Sequence, residues 1–337
     1  MSIDWPLFVK LISSAQRFVL ISHVRPDCDA LGSELGMAGV LESLGKHVRI
    51  VNPDPTPPNL KFIDPDLRIQ QIGRDIQPAE LHDADTFMIL DTSAWGQLGA
   101  MGDVFRQSKA QKLVLDHHVS SDDLGAVLFK DPKAEATGRL VCDAAKQLGV
   151  KLTEPMAVPL LAAITTDTGW FRFPSTLSTT FHTAAELLEA GARPEQLYRH
   201  LFEQDSLARL HLLGRMLSKA TMLCNGRLIY SSVLQPDFNE VGALSSETDD
   251  FINYLLRVRG TRVAVLFSEV RPQVFKVSFR SRGIVDCSSI AEEFSGGGHR
   301  AASGATLEGT WEEVQTLVLS TCTRAIDRAA PQLPAIV

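Results

Sequence analysis

Three short apolar runs in the first half of the chain each stop at ionisable residues. The runs and the residues that follow them are 18–21 with His23, 87–90 with Asp91, and 113–115 with Asp116. Runs that do not alternate with polar residues are typical of strands buried on both faces of a parallel sheet covered by helices. Such sheets bind ligands beyond the carboxyl ends of their strands. The pattern therefore predicts that acidic and imidazole side chains gather at one edge of a parallel sheet.

The segments between these runs have apolar residues at helical spacing. Residues 30–44 place leucines and a valine at near-helical spacing, stop before Gly45, and lead into the strand-like residues 47–51. This order is typical of a β-α-β unit. Further helices are predicted at 135–148, 155–164 and 178–188. The alternation predicts an α/β fold for this part of the chain.

The second half has a different order of elements. The predicted elements are a helical pattern at 196–223, strands at 228–233, 263–270 and 275–279, and helices at 248–258 and 311–326. The predicted domains are an N-terminal α/β domain at 1–190 with a mostly parallel sheet flanked by helices, a helical linker at 191–224, and a smaller C-terminal α+β domain at 225–337.

Composition narrows the class of protein. The chain has 337 residues, which suits two domains, and its 45% hydrophobic and 22% charged residues are ordinary for a globular protein. A net charge of −7 argues against binding of duplex DNA. The five cysteines lack a CxxC pair, which argues against a disulfide framework or a zinc ribbon. Without a leader or a membrane-spanning segment, we expect a cytoplasmic protein with no membrane partner.

Eight carboxylate and imidazole side chains form a candidate chemical centre, seven of them after the predicted strand ends and one after the predicted helix 155–164. They are His23, Asp27, Asp29, Asp91, Asp116, His117, His118 and Asp167. Oxygen and imidazole donors without thiolates are typical of hydrolytic centres with two divalent metals, and they suit Mn²⁺ or Co²⁺ better than Mg²⁺. Simpler interpretations stay open, because single aspartates can cap helices and the 116–118 triplet can lie in a solvated loop.

A glycine-rich segment in the second half is a candidate anion site. Backbone amides of residues 296–298 can approach an anion in a nest, and His299 and Arg300 add donors and charge. Arg280 and Arg282 alternate along a predicted strand, where a guanidinium can bind a phosphate. The alternatives are a tight turn for the glycines and ordinary exposed strand arginines.

These motifs resemble the DHH phosphoesterase family. The matching elements are His23-x-x-x-Asp27-x-Asp29-Ala30-x-Gly32-Ser33, Asp91, Asp116-His117-His118, Thr166-Asp167-Thr168-Gly169, and Ser295-Gly296-Gly297-Gly298-His299. The last of them is similar to the DHH-associated domain that follows the catalytic domain. These elements match the family in both order and spacing, and together they span residues 18–306. The resemblance implies an active site in the cleft between the two domains.

The resemblance also implies a role for each site residue. His23 and Asp27 would hold a first divalent ion, Asp29, His117 and Asp167 a second, and Asp91 would bridge them. The ions would be Mn²⁺, with Mg²⁺ or Co²⁺ as substitutes. Asp116 would orient the centre, and His118 would bind the scissile phosphate or assist the leaving oxygen. Substrate contacts would come from Arg280, Gly297, Gly298, His299 and Arg300.

Within the family, size and the glycine motif are most similar to the branch that combines oligoribonuclease and 3′-phosphoadenosine 5′-phosphate phosphatase activities. The implied substrates are short oligoribonucleotides or small phosphonucleotides, cleaved by a two-metal hydroxide without a covalent enzyme intermediate. Two alternatives remain: a phosphodiesterase of cyclic or linear dinucleotides, and a non-catalytic nucleotide-binding regulator. The oligomeric state is open, with a homodimer as one option. Cys28, between Asp27 and Asp29, departs from the pattern and could favour a softer metal.

Overall fold

The computed structural model describes residues 3–329, which form two compact units that divide between Gln204 and Asp205. The helices of the first unit are α1 (Trp5–Ser14), α2 (Cys28–Ser43), α3 (Gly99–Gln107), α4 (Thr137–Gln147), α5 (Glu154–Asp167), α6 (Ser178–Glu189) and α7 (Pro194–Phe202). Its strands are β1 (Arg17–Ile21), β2 (His47–Asn52), β3 (Ile69–Gln71), β4 (Thr86–Leu90), β5 (Gln111–Asp116) and β6 (Val127–Lys130). The alternation of strands and helices confirms the predicted α/β class.

The sheet of the first unit positions the candidate centre. Its strands lie in the order β3-β2-β1-β4-β5-β6, and every neighbouring pair is parallel. The strand order reverses direction between β1 and β4, and parallel sheets bind ligands beyond the strand ends at such a reversal. His23 follows β1 and Asp91 follows β4. The two residues therefore lie at the point of the sheet where a ligand site is expected.

Helices cover both faces of this sheet. Alternate residues along the strands enter two separate apolar clusters, because successive strand side chains point to opposite faces. Phe18 and Leu20 pack with residues of α1, α2, α4 and α5, while Val19 and Ile21 pack with residues of α3. All five residues of β4 are buried. This burial on both faces explains why the strands appear in the sequence as unbroken apolar runs.

Helices α2 and α5 pack so closely that their contact requires a glycine at position 32. A Cβ atom added to Gly32 would lie 2.3 Å from the carbonyl oxygen of Pro159, and one added to Gly36 would lie 2.5 Å from the Leu160 side chain. The start of α2 lies beside the end of α5. Asp29 lies at the start of α2 and Asp167 at the end of α5. The close packing of the two helices therefore brings these two aspartates together.

The second unit is built on a mixed sheet. Its helices are α8 (Leu207–Ser218), α9 (Gln235–Val241), α10 (Phe251–Leu256), α11 (Cys287–Glu292) and α12 (Trp311–Ala329). Its strands are β7 (Thr221–Leu223), β8 (Leu228–Val233), β9 (Val263–Arg271), β10 (Val274–Ser281), β11 (Gly297–His299) and β12 (Ala302–Glu308). The strand order is β11-β12-β10-β9-β8-β7, with β8 and β9 parallel and the other pairs antiparallel.

Each face of the second sheet has its own apolar core. Residues of α11 and α12 pack on one face, and residues of α8, α9 and α10 pack on the other. This arrangement confirms the predicted α+β character of the second half. Within residues 3–329, no helix combines the length and the apolar character that crossing a bilayer requires.

Candidate metal centre

The structure brings the predicted metal-type residues of the first unit into one cluster. Two groups have ligand atoms that lie within 4.8 Å of one another. The first group is His23, Asp27 and Asp91, and the second is Asp29, His117 and Asp167. A third, overlapping group joins Asp91 to His117 and His118. Residues up to 144 positions apart in the chain, from His23 to Asp167, therefore meet at the carboxyl edge of the sheet.

Asp91 lies between the two main groups. Its Oδ2 atom is 3.4 Å from His23 Nε2, and its Oδ1 atom is 3.4 Å from His117 Nε2. The side chain is 2% exposed, and its Oδ1 accepts a hydrogen bond of 2.8 Å from the Thr137 hydroxyl. Its backbone has a φ of 63°, a left-handed conformation that is uncommon for non-glycine residues. One carboxylate thus presents a different oxygen to each group.

Asp29 is held by the start of helix α4. Its Oδ2 accepts a hydrogen bond of 2.7 Å from the Thr137 amide, and its Oδ1 accepts one of 2.9 Å from the Gly138 amide. Free amides at a helix start attract negative charge, which explains why this carboxylate lies there. The N-cap of α2 is Asp27, whose Oδ1 accepts from the Asp29 and Ala30 amides at 3.0 Å each. The alternative in which Asp29 caps α2 is therefore wrong.

The ring nitrogens of two histidines are oriented by the backbone. His23 Nδ1 lies 2.9 Å from the Val24 carbonyl oxygen, and His117 Nδ1 lies 3.2 Å from that of Ala134. A carbonyl oxygen accepts only, so Nδ1 of each ring bears the proton and donates it. The Nε2 atom of each ring then has a free lone pair. This is the arrangement found in metal-binding histidines.

The electrostatics of the cluster favour bound cations. Burial, together with the charges of Asp29, Asp27 and Asp167, raises the pKa of Asp91 well above its ordinary value. Burial and the charges of Asp29 and Asp27 raise the pKa of Asp167 to about 8. Burial also raises the pKa of Asp29. Carboxylates that repel one another in this way gain most from divalent cations, so the donor set fits a two-metal centre.

Asp116 and His118 form a pair beside the two groups. Asp116 is fully buried, and its Oδ1 accepts from the backbone amide of His118 at 2.9 Å and from His118 Nδ1 at 2.8 Å. Burial alone would raise the pKa of Asp116, but hydrogen bonds led by those of His118 outweigh it and lower the pKa. The same contact raises the pKa of His118, whose side chain is 52% exposed. His118 is thus anchored to Asp116 through Nδ1.

Cys28 does not act as a ligand in this arrangement. Among residues 3–329, three groups of side chains lie close enough to hold an ion, and Cys28 belongs to none of them. Burial raises the pKa of its thiol to about 12 in the metal-free protein. Only a thiolate binds metals strongly. The expected preference for a softer metal therefore finds no support here.

Sequence reasoning missed Glu34, a buried acid behind His23. Glu34 Oε2 accepts a hydrogen bond of 2.7 Å from Asn52 Nδ2. Asn52 Oδ1 accepts from both the amide and the hydroxyl of Ser22, at 2.9 and 3.1 Å, where β1 ends. Burial raises the pKa of Glu34 to about 8. The sequence showed only an acid on a predicted helix, because its burial depends on a partner strand.

We expect Glu34 to make stability depend on pH. The folded-state pKa of Glu34 lies above the ordinary value of 4.5. Between pH 4.5 and about 8, the folded protein therefore keeps a proton that the unfolded chain has already released. Wild-type stability therefore falls as pH rises through this window. Urea unfolding in EDTA should show Glu34→Gln gaining a few kcal/mol relative to wild type from pH 5 to pH 8.5, at about 1.4 kcal/mol per pKa unit. A difference that is constant with pH, as expected for the exposed Glu189→Gln control, would contradict this.

The glycine segment of the second unit differs from the prediction. Residues 296–298 do not form a nest, because Gly297–His299 is the extended edge strand β11, paired with β12. A Cβ atom on Gly296 would lie 2.3 Å from the Gly304 carbonyl oxygen, and one on Gly298 would lie 2.6 Å from that of Ala302. These two glycines are required by the close approach of the strands, and as an edge strand β11 leaves some backbone groups unpaired.

The arginines near this hairpin have different surroundings. Arg282 donates to the carbonyl oxygens of Thr261 and Leu256, so its guanidinium has a structural partner. Arg300 donates from Nε to the Gly283 carbonyl oxygen at 2.8 Å and remains exposed. Arg280 is half-buried on β10, opposite Ala302 of β12. Substrate binding by Arg280, Gly297, Gly298, His299 and Arg300 stays a prediction.

Comparisons with known proteins identify the family of the chain. The profile described as "DHH family, N-terminal domain" matches residues 17–164, and that described as "DHHA1 domain" matches residues 225–326. A Thermus thermophilus protein named bifunctional oligoribonuclease and PAP phosphatase NrnA is 34% identical over 312 residues, which cover 91% of this chain and 90% of that protein. The Bacillus subtilis protein of the same name is 28% identical over 314 residues, covering 92% and 95%.

A solved structure extends the likeness to the fold. The crystal structure of an exopolyphosphatase-related protein from Bacteroides fragilis superimposes with a TM-score of 0.86 and 27% identity. The match covers 97% of this chain and 96% of that one. The profiles, the sequence relatives and this structure agree over nearly the whole length. The chain belongs to the DHH family.

Proposed function

We propose that this chain is a divalent-metal-dependent phosphoesterase that hydrolyses the phosphodiester bonds of short oligoribonucleotides and the 3′-phosphate of 3′-phosphoadenosine 5′-phosphate. The main support for this proposal is one observation. The two ligand groups face different carboxylate oxygens of the buried Asp91. The names of the Thermus thermophilus and Bacillus subtilis relatives supply the substrate class. The net charge of −7 suits a small substrate held by a few local cations better than a long nucleic acid.

In this proposal the two groups hold one ion each. His23 and Asp27 would bind the first ion, Asp29, His117 and Asp167 the second, and Asp91 both. The imidazole and carboxylate donors suit Mn²⁺, with Co²⁺ or Mg²⁺ as substitutes. When bound, two divalent ions lower the pKa of a water molecule and balance charge on the phosphoryl group.

The remaining residues orient the reacting groups. The backbone carbonyls of Val24 and Ala134 keep the Nε2 atoms of His23 and His117 aimed at the centre. The hydrogen bond from His118 Nδ1 to Asp116 leaves Nε2 free, and because that contact raises the pKa of His118, the imidazolium form would donate from Nε2 to a phosphate oxygen or to the leaving oxygen. In the second unit, the proposed nucleotide contacts are Arg280, Arg300, His299 and the backbone of Gly297 and Gly298.

A substrate panel tests the proposal. We expect multiple turnovers with Mn²⁺ on di- to pentaribonucleotides and on 3′-phosphoadenosine 5′-phosphate, little on pyrophosphate, and none on any substrate after treatment with EDTA. Product chromatography with free phosphate detection measures each reaction. Hydrolysis confined to cyclic di-AMP or its linear product would favour the dinucleotide phosphodiesterase alternative. Binding of nucleotides without any turnover would favour the regulatory alternative and overturn the proposal.

A further inference from the structure

Lys130 is a partly buried cation that none of the site assignments includes. It is the last residue of the edge strand β6, and its side chain is 10% exposed. Its Nζ atom lies 2.9 Å from Asp116 Oδ2, 2.5 Å from the Ser93 hydroxyl and 2.6 Å from the Ser120 carbonyl oxygen. A lysine ammonium has three N–H groups, so all three have a partner here. Lys130 thereby links the segments that follow β4 and β5.

The contact with Lys130 completes the hydrogen bonding of Asp116. Oδ1 of Asp116 accepts from the amide and from Nδ1 of His118, at 2.9 and 2.8 Å. Oδ2 accepts from the Ser93 hydroxyl at 2.7 Å and faces Lys130 Nζ at 2.9 Å. A carboxylate has about four acceptor positions, and the protein occupies all four. Asp116 therefore has no lone pair left for a metal, and the group it can act upon is His118.

We propose that Lys130 is a positioning residue for phosphoester hydrolysis, acting through Asp116 to hold the His118 ring with Nε2 toward the substrate. The inference rests on the proposed function, since it assigns Lys130 a part in the same reaction. Without the ammonium, Oδ2 keeps only the Ser93 hydroxyl, and that hydroxyl also lies 2.9 Å from the Ser120 carbonyl oxygen. The Asp116 carboxylate can then rotate, and the anchor of His118 rotates with it.

Kinetics of three variants test the inference. The variants are Lys130→Met, Lys130→Arg, and the control Lys133→Met, which changes an exposed lysine three residues further along. With Mn²⁺ and a diribonucleotide, we expect Lys130→Met to lower kcat by about 10- to 100-fold, the usual effect of losing such a supporting partner. KM should change less than about 3-fold, and Lys130→Arg should restore most of kcat. Lys133→Met should match wild type.

A double-mutant cycle separates positioning from general stabilisation. If Lys130 acts through His118, adding Lys130→Met to a His118→Gln background should lower kcat by less than about 2-fold, because the effects of residues that act as a unit do not add. Titration calorimetry should find the Mn²⁺ affinity of Lys130→Met within about 3-fold of wild type. An equal loss of kcat in both backgrounds, or wild-type kcat in Lys130→Met, would overturn the inference.

Nuclear magnetic resonance gives a readout that does not depend on activity. In metal-free protein labelled with ¹⁵N at histidine, the Nδ1–H signal of His118 should be protected from exchange in wild type and Lys130→Arg and lost in Lys130→Met. Equal protection of this signal in all three proteins would overturn the inference. The measurement needs no activity, so it is informative even if wild type hydrolyses no nucleotide and the proposed function fails. If Lys130→Met does not fold, Lys130→Gln replaces it in each measurement with the same expectations.

Discussion

Replacing Asp91 with asparagine should lower kcat/KM on diribonucleotides by at least about 10³-fold. Asp91 faces His23 with one oxygen and His117 with the other, so the variant weakens both ligand groups at once. Metal ions stabilise the charge of such a transition state by several kcal/mol, and about 4 kcal/mol corresponds to 10³ in rate. The amide nitrogen of asparagine is not a ligand, so at least one group loses an oxygen donor. Initial rates and the content of bound Mn²⁺ measure the two effects.

The same substitution should stabilise the metal-free protein. Asp91 is buried among Asp29, Asp27 and Asp167, and burial with these charges raises its pKa. In the metal-free protein, burial and the neighbouring carboxylates therefore make ionisation of Asp91 costly in free energy, and a neutral amide removes that cost. In EDTA we expect a higher Tm for Asp91→Asn than for wild type, whereas with Mn²⁺ wild type should be the more stable protein. A Tm that falls equally under both conditions would contradict this account.

A suitable control is Asp103→Asn, on helix α3. The Asp103 side chain is 79% exposed, and it pairs with Arg106 at 3.5 Å. This substitution removes the same charge from the same unit without touching the cluster. Wild-type kinetics, metal content and Tm are expected, so any shared change in both variants would reflect net charge rather than the site.

Replacing Gly32 with alanine should both destabilise the first unit and weaken its binding of metal. The new Cβ would lie 2.3 Å from the Pro159 carbonyl oxygen and 3.0 Å from the Ala163 side chain, so α2 and α5 must move apart. Overpacking of this kind costs about 1–3 kcal/mol. The separation also moves Asp29 from Asp167, so the affinity for Mn²⁺ should fall. Urea unfolding in EDTA and titration calorimetry with Mn²⁺ measure the two effects.

Gly102→Ala is the matched control for Gly32→Ala. Gly102 is a buried glycine in helix α3, where an added Cβ would meet Leu98 at 3.5 Å, an ordinary contact. Since alanine favours helix over glycine, we expect a stability equal to or slightly above that of wild type. If Gly32→Ala were as stable as Gly102→Ala and bound Mn²⁺ normally, the close packing of α2 on α5 would not be what unites the ligands.

Much of the fold could be predicted because burial leaves a clear pattern in the sequence. Strands β1, β4 and β5 are buried on both faces, so they appear as apolar runs, and the residues that follow them lie at one edge as expected. The edge strands β3 and β6 were missed. All three residues of β3 are only partly buried, and β6 has exposed Val127 and Leu128, so neither forms a buried run.

The supporting contacts of the site could not be predicted in the same way. Thr137 and Lys130 bind Asp29, Asp91 and Asp116 across 14 to 108 positions of the chain. Threonine and lysine are common at helix starts and strand ends, so nothing local marks these two as special. The start of a predicted helix near residue 137 was the available signal for Thr137, because free helix amides attract carboxylates.

The glycine motif shows why one residue pattern can have two causes. Glycines permit a backbone nest around an anion, and they also permit two strands to approach closely. Gly296 lies where a Cβ atom would strike the Gly304 carbonyl oxygen. The close approach depends on β12, six or more residues later, and no local pattern distinguishes it from a nest. The expected nest was therefore wrong, while the hairpin follows from strand pairing.

Anomalous diffraction from a crystal soaked in Mn²⁺ tests the dinuclear centre most directly. Data collected near the manganese edge should show two strong peaks in the first unit. One ion should lie at bonding distance from His23 and Asp27, the other from Asp29, His117 and Asp167. Both ions should lie at bonding distance from Asp91. A single peak, peaks away from these side chains, or no peak at saturating Mn²⁺ would contradict the account.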